Sequence, residues 1–241
     1  MAIIKCIPQI GNPWYYVRYH VQGNMAKYGW YATMGLTDIG DYAFYKNNNI
    51  TTFYMSNSVE TIGQNAFSNC SNLSFVKFSK NLTSIGKNAF LRCSSLSING
   101  LPSSLTSIGQ YAFQYVKEIT VDEWPSGLTS IDNYAFSIMT NLNITTLPEK
   151  LETIPHACCW KSTGLKEMTI PASVTTVNAY AFNTCTDLTK VTFKGTPTSI
   201  VSTAFGDDTA LTDIYVPWSE GAVSNAPWGA TNATIHYDTT T

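Results

Sequence analysis

Charge is what this 241-residue chain has least of: Asp, Glu, Lys and Arg together make up 12% of it, about half of the roughly 25% usual in soluble domains. With a net charge of -2 it offers no basic footprint, and no nucleic-acid partner is expected. No stretch approaches the ~18 consecutive apolar residues of a membrane span, so membrane insertion is not expected either. The opening Met1-Ala2-Ile3-Ile4-Lys5-Cys6-Ile7-Pro8 lacks the basic and apolar regions of a secretory signal, and the polypeptide as written is expected not to direct its own export. Six cysteines are too few for a disulfide framework in a chain of this length.

Catalytic signatures are equally scarce. The three histidines, His20, His156 and His236, fall in separate regions, and none accompanies a Ser or Cys in a nucleophile motif. His156-Ala157-Cys158-Cys159 is the one suggestive cluster, but zinc wants four tetrahedral ligands, and the corresponding residues further on are Ala181 and Phe182. Glu118, Asp122, Glu123 and Glu152 form no paired-carboxylate arrangement. Catalytic residues, a metal and a cofactor are accordingly all expected to be none. The surface falls to Ser, Thr, Asn and Gln.

What the chain does have is a period. Ala66-Phe67 returns at one fixed interval as Ala89-Phe90, Ala112-Phe113, Ala135-Phe136, Ala181-Phe182 and Ala204-Phe205, and one step back as Ala43-Phe44. Cys158-Cys159 fills the one deviating slot without insertion or deletion. A period this strict, set by the step from Phe67 to Phe90, means a solenoid. Repeats start at Leu36, Val59, Leu82, Leu105, Leu128, Leu151, Val174 and Pro197, and three residues into each stands an aliphatic residue, from Ile39 to Ile200. Columns of apolar residues at identical offsets must point inward, because each turn buries its face only against its neighbours. The glycines, recurring at the same period, mark a turn requirement and not a phosphate loop. Gly40, Gly63, Gly86 and Gly109, followed by Asp132 and Asn178, predict a positive-φ corner leading into one short helical turn that carries Ala-Phe. Pro155 cannot adopt such a corner, so the sixth repeat is expected to differ there, with Trp160 restoring the volume lost at Cys159.

Each repeat closes on apolar residues two apart, such as Val76 and Phe78, which predict a short parallel strand. In repeats three to five the pattern slides, leaving Ile98, Val121 and Ile144 either in the core behind a relocated kink or in an exposed stripe. The expected class is therefore an α/β solenoid of short parallel strands and helical turns, capped at both ends. Residues 1–35 form an N-terminal β cap or attachment segment, 36–217 the repeats, and 218–241 a degenerate ninth turn, cap and tail. In that last turn Val223, Trp228 and Tyr237 fall one full period after Ile200, Phe205 and Ile214, respectively. Cys70, Cys93 and Cys185 share one repeat position with Val116 and Met139, as buried thiols would.

The phrase Leu-Thr-Ser-Ile-Gly-x-x-Ala-Phe-x-x-Cys-x-x-Leu, almost entire at residues 82–96, resembles the BspA-like leucine-rich repeat family over residues 36–217. The resemblance implies a right-handed solenoid with a parallel sheet along one side, and a surface protein of the adhesive kind. The closing block, Val216 to Tyr237, is similar to the ends of repeat proteins encoded by bacteriophages and gut bacteria. Together these imply a virion or phage-tail protein made in the host cytoplasm, binding a protein or glycan on a host surface or neighbouring virion subunits, with homo-oligomers open. A bacterial cell-surface or extracellular adhesin and a purely structural decoration or assembly protein are the alternatives.

Two surfaces are candidates for a partner. The slots flanking Ala-Phe hold Tyr111, Tyr115, Tyr134, Ile138 and Trp160, where polar residues would serve if they only faced water; the rings either form a ligand face or lie flat and shield the core. Trp14, Tyr16 and Trp30 are either the core of the N-terminal cap or a docking surface for another subunit.

Overall fold

The computed structural model describes residues 36–239 throughout and, ahead of them, the backbone of the strands Ile3–Lys5, Tyr16–Tyr19 and Trp30–Ala32. Each repeat makes one turn of a β-solenoid. Two-residue strands ending in the aliphatic column run in parallel from Asp38–Ile39 to Ser130–Ile131, every residue opposite the one a full period further on. A second ladder continues through Thr153–Ile154, Thr176–Val177 and Ser199–Ile200.

On another side lie the longer strands, in three sheets. Ile3–Lys5 and Tyr16–Tyr19 pair antiparallel, as do Tyr16–Tyr19 and Trp30–Ala32, before Thr52–Tyr54 and Phe75–Lys77 add in parallel. Ser97–Asn99, Glu118–Thr120 and Asn141–Asn143 form the second sheet, and Glu167–Ile170, Lys190–Phe193, Asp213–Tyr215 and Thr234–His236 the third. The slide in repeats three to five is a register change: Ile98 pairs with Ile119, two positions short of the full period, which would be Val121. Ile98, Val121 and Ile144 are all buried, so the kink has moved and no apolar stripe is exposed. The last turn is shortened in the same way. Ile214 pairs with Ile235 and Tyr215 with His236, so Tyr237 is not the residue in register with Ile214, whereas Val223 and Trp228 are buried.

The expected α/β class and its helical turns do not form, since the described residues contain no helix. The hydrogen bonds give the reason. Around Ala66-Phe67 the amides of Asn65, Phe67 and Asn69 donate to the carbonyls of Lys87, Ala89 and Leu91 in the next turn, at 2.9, 2.8 and 2.7 Å. The amides between them, of Ala66, Ser68 and Cys70, donate three residues back to Gly63, Asn65 and Phe67. A helix needs successive amides to bond four residues back within one segment, and here every second one is used between turns. This edge is a stack of β-turns.

The glycine column is also not the left-handed corner. Positive φ falls two and six residues later, at Tyr42 and Lys46, Asn65 and Asn69, Asn88 and Arg92, Tyr111 and Tyr115, Tyr134 and Ile138, and onward. At Gly86 and Gly109 the glycine answers close approach instead. A Cβ there would lie 2.7 Å from Ile62 O and 2.7 Å from Lys87 N of the preceding turn, respectively. Since the slot does not ask for positive φ, Pro155 fits, and Ala157 and Lys161 after it keep φ values of 52° and 55° like their counterparts. The sixth repeat differs otherwise than expected. Gly109, Asp132 and Asn178 donate their amides to Ile85, Ile108 and Ile154, and proline has no amide to give Ile131. The two-residue ladder stops there, between Ser130–Ile131 and Thr153–Ile154.

Inside, Phe44, Phe67, Phe90, Phe113 and Phe136 stack with centroids 5.0 to 5.6 Å apart, and Phe182 and Phe205 resume the stack beyond Cys159 at 5.3 Å. All are buried. Trp160 does not replace the missing ring; it stays half-exposed, its indole N–H donating to Asn183 Oδ1 at 3.1 Å. Cys70, Cys93 and Cys185 are free buried thiols, each donating to a main-chain carbonyl of the preceding turn, at 2.9, 3.1 and 3.1 Å. On the polar surface, hydroxyls repeat the same economy: Thr83, Thr106, Thr175 and Thr198 each donate to the carbonyl one period back.

An aromatic strip on the stacked-turn edge

The strip is built from the turn that carries Ala-Phe. From Tyr42 to Tyr180 the residue just before the Ala-Phe slot has left-handed backbone, a conformation that Asn and Gly adopt with least strain. Asn65 and Asn88 occupy the slot in two repeats, but Tyr111, Tyr134 and Tyr180 take it at φ 57°, 61° and 58°. A bulky side chain at positive φ costs about 1–2 kcal/mol. The identity of these residues is therefore not set by the backbone they sit on.

Stacking of turns brings the rings together. Tyr111 and Tyr134 lie face to face with centroids 4.8 Å apart, and Trp160 meets Tyr134 edge-on at 6.2 Å. His156 stands between Tyr134 and Tyr180, edge-on to both at 5.2 and 5.5 Å, its Nε2 hydrogen-bonded to the Tyr134 hydroxyl at 2.9 Å. His156 is itself held from below, its amide donating to Asn133 Oδ1 at 3.1 Å. Partial burial, followed by the phenols of Tyr111 and Tyr180, holds the Tyr134 phenol above its ordinary range, so it stays a neutral hydrogen-bonding group. Tyr111, Tyr134 and Trp160 are half-buried, packed against one another with one side to solvent, while Tyr180 at the end is 42% exposed.

Of the residues expected from sequence, the structure thus joins Tyr111, Tyr134 and Trp160. Tyr115 and Ile138 lie one column over, at the second left-handed slot; Tyr115 is 40% exposed beneath the Arg92 guanidinium, 5.4 Å from its ring, and Ile138 is half-buried. Sequence reasoning misses two members. It considers His156 only as a nucleophile's partner or a metal ligand, although a place nearly one period after Tyr134 already puts that residue in the adjoining turn. Tyr180 belongs to the tyrosine column by its spacing but is absent from the expected cluster. Of the second candidate surface, Trp14 lies outside the described residues, and Tyr16 and Trp30 fall on strands whose side chains are likewise outside them.

The strip has the makings of recognition. Among the described residues no three metal-ligating groups come together. Burial pushes the Cys70 thiol up to about 12 and those of Cys93 and Cys185 well above their ordinary value, which keeps them protonated and unreactive.

The comparisons agree with the architecture. No functionally curated protein matches the sequence. Among solved structures, the chain is similar to a leucine-rich repeat protein from Bacteroides ovatus, at 18% identity over 92% of this chain and 75% of that one, with a TM-score of 0.51. It is also similar to a leucine-rich repeat protein from Eubacterium ventriosum, at 16% identity over 85% and 71%, with a TM-score of 0.43. At 18% identity the likeness to the Bacteroides ovatus protein concerns the fold alone. The model of the BspA type leucine rich repeat region matches six copies, over residues 37–158 and 119–226, and with that coverage the chain belongs to the BspA-type leucine-rich repeat family.

Proposed function

We propose that this chain is a non-enzymatic binding module that attaches to a protein or glycan on a host surface through the strip of Tyr111, Tyr134, His156, Trp160 and Tyr180. The observation that carries the reading is the placement of tyrosine at left-handed slots where Asn65 and Asn88 show the less strained choice. Backbone strain retained for the sake of a side chain points to a use for that side chain. The rings suit such a use: they are large, mutually braced and lose little freedom when covered.

The setting we propose is a bacteriophage virion or tail, in keeping with the resemblance of residues 216–237 to the ends of repeat proteins encoded by bacteriophages and gut bacteria. Membership of the BspA-type family fits a bacterial surface adhesin as well. Mass spectrometry of particles purified from a lysed source culture separates the two, since a virion protein is recovered in the particles and an adhesin with the cell envelope.

The strip itself is tested with Tyr134→Asn combined with Trp160→Ser. Asn suits the left-handed slot, so the fold should keep its melting temperature within a few degrees while attachment of the purified protein to host cells is lost. Undiminished attachment by the folded variant would move the site elsewhere, and no attachment by the wild type would leave decoration or assembly as the role.

A further inference from the structure

The second left-handed slot, six residues after the glycine column, forms its own row along the same edge: Lys46, Asn69, Arg92 and Tyr115 in the first four repeats, at φ 59°, 61°, 58° and 61°. A groove of about 570 Å³ runs across these four residues, with Asn48 and Ser71 in its wall. No carboxylate is among its described lining residues. In a chain with a net charge of -2, this is a local concentration of positive charge. Among the described residues the ion pairs are Lys190 with Glu167 and His236 with Asp213, so no described carboxylate pairs with Lys46 or Arg92.

Both cations are exposed, and each lies against an aromatic ring. The Lys46 ammonium lies 5.0 Å from the centre of the Tyr45 ring and the Arg92 guanidinium 5.4 Å from that of Tyr115, contacts that attract a cation to the ring face. The wall between is fixed. Asn48 Oδ1 accepts from the amide and the hydroxyl of Ser71, at 3.0 and 2.9 Å, and the Asn48 carbonyl accepts from Asn72 Nδ2 at 2.8 Å. Lys46 and Arg92 stand two turns apart, about 10 Å at the usual spacing of stacked strands, with Asn69 between them. As in the tyrosine column, Asn69 shows the residue the backbone prefers, and Lys46, Arg92 and Tyr115 depart from it.

We propose that this groove binds an acidic saccharide, its carboxylate or sulfate groups taken by Lys46 and Arg92, its hydroxyls by the Asn and Ser wall, and a sugar ring laid against Tyr115. Two cations along one groove call for an anionic ligand with repeated charge, since each can make a charge-assisted hydrogen bond to it. Neutral amide and hydroxyl groups flanked by an exposed aromatic ring favour a saccharide over an acidic peptide. An open trough on a solenoid edge admits a chain. This site stands apart from the Tyr134 strip, and loss of one leaves the other.

The test is titration of the intact protein with heparin-derived hexasaccharide, oligogalacturonate of the same length, neutral dextran oligosaccharide and oligoglutamate. Binding of at least one acidic saccharide, weakening with added salt, and none of dextran is the expected result. Lys46→Asn with Arg92→Asn removes both charges while installing the residue that suits the slot, so the melting temperature should hold while affinity falls by about a hundredfold, roughly tenfold for each charged contact. Tyr115→Asn should weaken the saccharide about tenfold and oligoglutamate less, since both lose the ring beside Arg92 but only the saccharide also loses a stacking surface. The proposal is overturned if neither acidic saccharide binds, if the folded double variant binds as well as wild type, or if oligoglutamate binds as tightly as the saccharides and Tyr115→Asn changes neither.

Discussion

Asp208 occupies the slot that Cys70, Cys93, Ser162 and Cys185 fill in earlier repeats, and there a carboxyl is an awkward tenant. It is 4% exposed; Oδ1 accepts the Cys185 amide at 2.6 Å, and Oδ2 has no partner. Cysteine and serine at this slot donate to a main-chain carbonyl of the preceding turn, which a carboxylate cannot do and a carboxylic acid can. Burial, which outweighs the Cys185 amide, pushes the pKa up to about 8. The folded chain thus holds a proton that the unfolded chain releases near an ordinary carboxylate pKa of about 3.9. Between about pH 4 and about pH 8 the native state binds more protons, so this group's contribution to stability declines as pH rises through that window. Asp208→Asn supplies a neutral donor and acceptor of the same shape. Thermal unfolding should show the variant more stable than wild type at about pH 8, with the difference shrinking toward about pH 5; a difference independent of pH would contradict the assignment.

At the scale of the element, the repeat is a turn whose amides are shared with the turn after it, and its side chains follow from that. Gly86 is required by the approach of the preceding backbone, 2.7 Å from Ile62 O and 2.9 Å from Gly63 C to where a Cβ would stand. Those neighbours are main chain and cannot swing aside. Gly86→Ala should therefore cost about 1–3 kcal/mol in equilibrium unfolding, although its φ is one that alanine adopts freely; a neutral result would show that the turns can part without loss. The same sharing explains Pro155, which keeps the shape of the turn and removes one rung of the ladder, so the interruption lies between strands and not within the repeat.

Across the whole molecule, stability is a sum over neighbouring turns, and the aromatic stack is its continuous thread. It is interrupted once, at Cys159, between Phe136 and Phe182. Phe113, stacked between Phe90 and Phe136 at 5.6 Å on either side, has no freedom to be replaced by collapse of the turns, because these are held apart by their hydrogen bonds. Phe113→Ala should cost about 3–5 kcal/mol, read as a lower urea midpoint. A loss under about 1 kcal/mol would mean the turns close over the cavity.

The sequence by itself determined the period, the columns that are core, and the burial of Ile98, Val121 and Ile144 as one of two possibilities, because a turn that can bury its face only on its neighbours must repeat its apolar residues at fixed offsets. Tertiary structure decided the rest. Whether Ala-Phe lies in a helix or a stacked β-turn depends on where alternate amides find their acceptors, and those acceptors belong to the next turn of the solenoid, beyond the reach of local propensity. For the same reason glycine, which signals both positive φ and close approach, points from sequence alone to the wrong one of its two uses at Gly86 and Gly109. The Tyr134 strip shows both halves at once: its tyrosines were legible as a column, but His156 joined them only when consecutive turns set its ring against the Tyr134 hydroxyl at 2.9 Å, a contact that stacking makes and no single repeat contains.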